Sequence, residues 1–352
     1  TSEDLSGDDV AAASENLKMD VLSRDGALIE SLPISGRFGQ LSLSPSSNFL
    51  SYTKYDDSNA DIWVYDFEQK ISGRRTFDGA SDRPRWHPNG DHIIYTTNSM
   101  IDSNNTANFG LGFAGGSIRS VSSDGTGNDK EVFRDIEKFN NYVLQSISPL
   151  GDDIFFTHGG NGLKTTAFRA SLDDNIDINL RSEELELTPN AGQLWWWSRV
   201  SLSNDGEWIA YVSNESGTSQ LYIRPYPEIG KGKWQVSAKD AFSPIWSSEN
   251  NELFFHAGNK FYRVEFEKYK DNNSSYINLS QPEFLFEHTI VENHLTFPAW
   301  EYDPKNNRFI IISTPDAEVT GEMNNNPIDM LNKTITLTVV ENWISDFKTA
   351  NQ

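Results

Sequence analysis

Residues Leu202 to Tyr211, LSNDGEWIAY, read as a tight hairpin: an apolar residue, a serine, the turn dipeptide Asp205-Gly206, then a short apolar run closing on tyrosine. Asp-Gly tolerates the positive φ that a hairpin turn needs, so a short strand, a turn and a second strand account for the stretch. The pattern recurs. LSPSSNFLSY (Leu43 to Tyr52), WHPNGDHIIY (Trp86 to Tyr95), ISPLGDDIFF (Ile147 to Phe156), WSSENNELFF (Trp246 to Phe255) and YDPKNNRFII (Tyr302 to Ile311) keep the order apolar residue, Ser, His or Asp, polar turn, apolar run. The six starts lie 43, 61, 55, 44 and 56 residues apart, a spacing that belongs to a repeat architecture.

A third strand follows most copies: DIWVYD from Asp61, SIRSVS from Ser117, TAFRASL from Thr166, QLYIRPY from Gln220 and KFYRVEF from Lys260. A fourth follows in GRRTFD from Gly73, KEVFRD from Lys130, ELELT from Glu184, KWQVS from Lys233 and EFLFEH from Glu283. Four short antiparallel strands at a period of roughly 40 to 60 residues make a β-propeller blade. The chain is therefore predicted to be all-β, a six-bladed propeller of four-stranded blades. Residues 1–17 are expected to be a flexible segment and 18–352 one propeller domain. The sixth copy lacks nearby third and fourth strands. The hairpin LKMDVLSRDGALIESLP (Leu17 to Pro33) is the natural supplier, with TITLTVVENW (Thr334 to Trp343) a second candidate, so strands from both chain ends would close the ring and hide sheet edges. The order of the strands in that blade stays open. Asn98 to Gly116 and Pro315 to Pro327 read as rim insertions, and Trp343 to Thr349 as a turn of helix.

Composition narrows the function. With 51 acidic against 29 basic side chains, a net charge of −22 argues against nucleic acid or an anionic membrane surface as partner. Ten Trp and 12% aromatic residues supply a core that no disordered chain would carry. No stretch is long and apolar enough for a membrane span, and the opening TSEDLSGDDVAAASEN has neither the basic nor the apolar region of a signal peptide, so any membrane link is expected through a segment outside this chain. The absence of cysteine removes disulfides, thiol catalysis and thiolate metal sites, and fits an oxidising compartment.

These repeats resemble the TolB-like, WD40-like (PD40) propeller repeats, whose blades carry a W-S-P-D-G hairpin. The resemblance runs from about Lys18 to Trp343 and is most specific in LSNDGEWIAYVSNESGTSQLYIRPYPEIGKGKWQVS (Leu202 to Ser237), PIWSSENNELFF (Pro244 to Phe255) and TVVENWISDFK (Thr338 to Lys348). Ser46-Ser47, Leu150-Gly151 and Glu249-Asn250 depart from it by replacing the Asp-Gly turn. The last three stretches are similar to the propeller that follows a kinase or winged-helix domain in some bacterial signalling proteins. The resemblance implies a non-enzymatic sensory or interaction module attached to another domain, facing outside the cytoplasm behind a membrane helix. A cytoplasmic scaffold is the alternative. No P-loop, kinase motif or recognition helix occurs in the chain.

The segments leading into each innermost strand are expected to line one mouth of the channel. They hold Arg37 and Phe38, Asp82 and Arg83, Asn141 and Tyr142, Trp195, Trp196, Trp197 and Arg199, Phe242, and His294. Aromatics with a few cations suit a protein or peptide partner, a glycan or a small ligand. Three consecutive tryptophans in an extended segment alternate sides, so either one is exposed at the mouth or the run packs between blades. The competing reading is a glycan or peptide hydrolase or lyase using carboxylates or His294 from separate blades. It calls for two carboxyl groups about 5 to 9.5 Å apart. No G-x-S-x-G elbow is present. No catalytic set, cofactor or metal is assigned: the six histidines have no zinc-ligand spacing and no calcium-loop pattern occurs. Asp56-Asp57 with Asp61, Asp152-Asp153, and Asp173-Asp174 with Asp177 read as solvated surface, and His87 as the cap of its hairpin turn.

Overall fold

A computed structural model describes residues 17–56, 59–97, 116–134, 142–160, 164–173, 175–176, 182–187, 199–237, 240–249, 251–271, 274–291 and 299–314. All belong to one compact unit, Thr1–Glu318; the other, Val319–Gln352, lies outside the described residues, as do the candidate strand 334–343 and the expected helical turn. Apart from a single 3-10 turn at Ile229–Lys231, the described residues are strand, turn and connecting segments.

The hairpin repeat has a physical cause in its second residue. Ser203 Oγ accepts from the Trp208 amide at 3.0 Å and donates to Asp205 Oδ1 at 2.6 Å, while its carbonyl takes the Gly206 amide at 2.8 Å. Ser44 accepts the Phe49 amide at 3.0 Å and Ser148 the Asp152 and Asp153 amides at 3.1 and 3.2 Å. At the matching places His87 Nδ1 takes the Asn89 amide at 3.3 Å and Asp303 Oδ1 takes the Asn306 amide at 3.3 Å. A short side chain that captures turn amides is what each hairpin requires. Gly206 turns at φ +70; Ser47 adopts φ +64 in its place and Asn307 φ +52 one position later, which explains how hairpins without glycine survive.

Strands β1 (Leu17–Ser23), β2 (Leu28–Leu43), β3 (Phe49–Asp56), β4 (Asn59–Asp66) and β5 (Ile71–Arg74) open the chain. Three four-stranded sheets follow. They are β6 (Ser81–Trp86) to β7 (His92–Thr97), β8 (Ser117–Ser122) and β9 (Lys130–Phe133); β10 (Tyr142–Ile147) to β11 (Asp153–Gly160), β12 (Lys164–Ser171) and β13 (Glu183–Leu185); and β14 (Ser201–Leu202) to β15 (Trp208–Ser213), β16 (Gln220–Pro225) and β17 (Trp234–Gln235). A five-stranded sheet holds β18 (Phe242–Trp246), β19 (Glu252–Ala257), β20 (Lys260–Asp271), β21 (Ser274–Leu279) and β22 (Glu283–Glu287), the last two both pairing with the long β20. Finally β23 (Trp300–Asp303) and β24 (Arg308–Ser313) join the opening strands in one seven-stranded sheet, ordered β23-β24-β1-β2-β3-β4-β5.

The N-terminal hairpin thus completes the sixth repeat, with β1 antiparallel to β24 from Lys18↔Ser313 to Ser23↔Arg308. The first part of β2 pairs with β1, and the part from Arg37 onward with β3. Asp20, 1% exposed, pins this junction: its carboxylate accepts from Ser31 Oγ at 2.5 Å on β2, from Ser313 Oγ at 2.6 Å on β24, and from Lys18 Nζ at 3.2 Å, with His288 Nε2 at 3.4 Å.

Second strands such as β7, β15 and β24 are buried on both faces and read as continuous apolar runs, as strands packed between two layers must. Each apolar cluster joins successive sheets: Ile62, Val64 and Trp86; Ile94, Ile118, Leu144 and Phe156; Phe155, Leu185 and Tyr211; Trp208, Val212, Trp246 and Phe255. The largest joins Phe254 and Phe261 to Trp300, Phe309, Met19 and Leu41. Two residues expected on the surface are instead interior. Asp61 is 5% exposed, accepting from Arg74 Nη2 at 2.5 Å and Thr76 Oγ1 at 3.0 Å, and Asp153 is 8% exposed, accepting from Tyr226 OH at 2.9 Å and Ser171 Oγ at 2.6 Å.

Candidate functional site

The first strands of the repeats lie next to one another in the order β23, β2, β6, β10, β14, β18. Four of them break register: β2, within the part that pairs with β3, between Phe38 and Leu41, β6 between Asp82 and Arg85, β10 between Leu144 and Ser146, and β18 between Phe242 and Ile245. Such bulges bend a strand and re-aim its side chains. In β6 and β18 the residue before a proline is driven into the left-handed region, Arg83 at φ +60 and Ser243 at φ +51, a strained conformation that persists only when its surroundings hold it.

The residues at these bulges are polar and buried: Gln40, Arg83, Arg85, Gln145 and Ser243 are all at most 4% exposed. Arg85 links three first strands, donating from Nε to the Gln145 carbonyl at 2.7 Å and from Nη1 to the Leu41 and Pro84 carbonyls at 3.3 and 2.8 Å. Gln145 in turn donates to Thr157 Oγ1 at 3.0 Å. Arg199, just before β14, donates from Nη2 to Glu301 on β23 in a pair buried at both ends. Burial, then the like charge of Arg199, push the Arg85 guanidinium down to about 9, with Glu301 opposing.

Beside this buried polar group, Asp82 Oδ1 accepts from Thr53 Oγ1 at 2.8 Å, Tyr55 OH at 3.2 Å and the Arg83 amide at 2.7 Å, and its Oδ2 stands 3.7 Å from Arg83 Nε. Burial and the Asp82 carboxylate together drive the Tyr55 phenol well above its ordinary range, with Arg83 and Arg37 opposing. Asp82 and Glu301 are thus both engaged by cations or hydroxyls. Among the described residues no group of three or more His, Asp or Glu converges as a metal centre would.

The expected mouth residues divide. Arg37 is half-buried near Tyr55, and Arg199 sits in the buried polar group, paired with Glu301. Phe242 is half-buried with its ring 5.7 Å from that of His256. Phe38 is 1% exposed and packs edge-to-face on Tyr52 at 5.5 Å, so its ring belongs to the core. Tyr142 begins β10, its backbone opposite His158. Trp195, Trp196, Trp197 and His294 lie outside the described residues. Arg85 and Glu301 did not stand out in the sequence; the available signal was polar residues interrupting strands that otherwise read as buried, as in DRPRW and WEYD.

A separate cleft of about 870 Å³ opens at the far, turn-side ends of these strands, lined by Arg24, Glu249, Glu252, Glu265, Glu267 and Lys305 among others. Its most buried carboxylate, Glu252, is already taken by Arg24 and Arg263.

No family model and no curated protein sequence matches the chain. Solved structures do. A TolB structure from Agrobacterium tumefaciens is similar over 86% of this chain and 99% of its own, with TM-score 0.57 and 14% identity. TolB from Acinetobacter baumannii is similar over 85% of this chain at TM-score 0.50 and 16% identity, and this chain spans 64% of its length. Identities this low speak to architecture alone. The resemblance carried by the hairpin repeats is matched in three dimensions, and the fold of this chain is that of a TolB-like β-propeller.

Proposed function

We propose that the chain is a non-enzymatic interaction module, a six-bladed propeller whose mouth, at the beginnings of the first strands, takes a protein or peptide partner. The count treats the seven-stranded sheet as two blades sharing β2. The Arg199–Glu301 pair supports closure into a ring, since it connects β14 to β23, four places apart along the series of first strands. The apolar clusters run from each sheet to the next and from the β18–β22 sheet onward to β23, β24 and β1. The observation that carries the binding reading is that, among the described residues, the two buried carboxylates of this region, Asp82 and Glu301, are occupied by cations or hydroxyls, an arrangement suited to fixed recognition more than to proton transfer. TolB-like architecture favours a protein partner and an extracytoplasmic setting, within a larger bacterial signalling or envelope protein. A glycan or small ligand at the same mouth is the finer alternative.

The test is site-specific photo-crosslinking from Trp195, Trp196, Trp197 and, on the turn side, Lys305. A cross-linked partner captured reproducibly from the tryptophan positions and not from Lys305 is expected. Capture from Lys305 alone overturns the proposal. Single Trp→Ala variants are expected to weaken that partner's binding by about 1–3 kcal/mol with little change in melting temperature.

A further inference from the structure

The buried polar group, which lies on the axis of the proposed ring, carries an imbalance of charge. Arg83 stands beside Asp82 and Arg199 is paired with Glu301, whereas Arg85, 4% exposed, bonds only to backbone carbonyls, and among the described residues no carboxylate pairs with it. Arg199 is 7% exposed, and its Nη1 is buried with no hydrogen-bond partner among those residues. A buried guanidinium without a counter-charge and a buried N–H without an acceptor are both costly, and one anion between them would relieve both. Arg85 reaches the Gln145 carbonyl on β10, the strand that neighbours β14, which Arg199 immediately precedes, and the two arginines feel one another's charge.

We propose that Arg85 and Arg199 form a seat for a single carboxylate presented along the axis from the mouth. Among the described residues the buried guanidinium groups of Arg83, Arg85 and Arg199 meet two buried carboxylates, Asp82 and Glu301, an excess of one positive charge, which a monoanion neutralises and a phosphate dianion exceeds. The planar fork of arginine matches the two oxygens of a carboxylate. On a chain of net charge −22, a site that attracts anions has to be built locally, and burying it keeps the surrounding acids from competing for the same arginines. The carboxylate can come from a free small acid or from the C-terminus of a peptide. The inference deepens the function proposed above and rests on it only for the direction of approach.

The experiment is calorimetric titration of the full chain, backed by thermal melts, at constant ionic strength in chloride. The probes are acetate, tetra-alanine with a free carboxyl, tetra-alanine amide and sulfate. Saturable binding of acetate or free tetra-alanine is expected, with the amide silent. Acetate without tetra-alanine points to a free acid, and tetra-alanine stronger than acetate to a peptide terminus. Arg85→Met and Arg199→Met are each expected to weaken binding at least tenfold, and Glu301→Gln, which frees Arg199, to tighten it several-fold. Should the arginine variants fail to fold, Glu301→Gln carries the test. No saturable carboxylate binding, binding of sulfate in preference to acetate, or indifference to Glu301→Gln overturns the seat. None of these titrations needs a protein partner, so their failure and a failure to cross-link at the mouth are separate results.

Discussion

Replacing Asp20 by Asn removes one negative charge from the junction of β1, β2 and β24 while keeping the shape of the side chain. The carboxylate accepts from Ser31 and Ser313 at 2.5 and 2.6 Å and is approached by Lys18 and His288, and it is 1% exposed. Burial disfavours its charged form, but the bonds from His288, Ser31, Ser313 and Lys18 outweigh burial and hold its pKa well below the usual carboxylate range. Hydrogen bonds to a charged group contribute about 1.5–3 kcal/mol each, and an amide recovers part of the two hydroxyl bonds, so a net loss of about 3 kcal/mol is expected. At roughly 2.1 cal/mol/K of unfolding entropy per residue, a unit of this size should lose about 5 °C in melting temperature. The sign with pH follows from the lowered pKa. The stabilisation is complete above the unfolded-state value of about 3.9 and disappears as pH falls below it through the folded-state value. Calorimetric melts of both proteins from pH 7 to pH 2.5 should therefore show a gap of about 5 °C that narrows below pH 4. No gap at pH 7, or a gap of constant size down to pH 2.5, refutes the assigned role of the carboxylate.

Two further substitutions test the packing. Gly26→Ala forces a side chain onto φ +85, with its Cβ 2.4 Å from Phe286 Cβ, and urea unfolding should show a loss of about 2–3 kcal/mol. Phe261→Ala empties a site that is 0% exposed and stacked on Phe286 at 4.7 Å; the same assay should show a loss of about 3–5 kcal/mol.

Much of the architecture was legible because its determinants are local. Ser44, Ser148, Ser203 and their His87 and Asp303 counterparts recur since each hairpin needs an acceptor for turn amides within a few residues of itself. The N-terminal hairpin was legible as the missing part of the last repeat for the same reason. What escaped depends on partners far along the chain. Asp61 and Asp153 look like surface acids until Arg74 and Tyr226 fold onto them. Arg85 and Glu301 sit on strands where a polar residue reads as an outward-facing alternate, and their burial follows only from the crowding of several first strands. Phe38 and Arg37 are neighbours, yet the pleat sends the first into the core against Tyr52 and leaves the second half-buried. The sharing of β2 between two partners has no local signature at all.

That shared strand constrains how the protein is made. On the ribosome β1 and β2 emerge before the other described strands, yet the bonds that finish their sheet come from far later in the chain, Ser313 lying 293 positions after Asp20. Throughout synthesis, the β1 edge is an unpaired row of amides and carbonyls open to any other nascent strand. Contacts of such sequence separation are late and slow to form. A chain cut short before Trp300 loses β23 and β24 together, and should emerge as a sticky, edge-exposed species instead of a smaller stable domain.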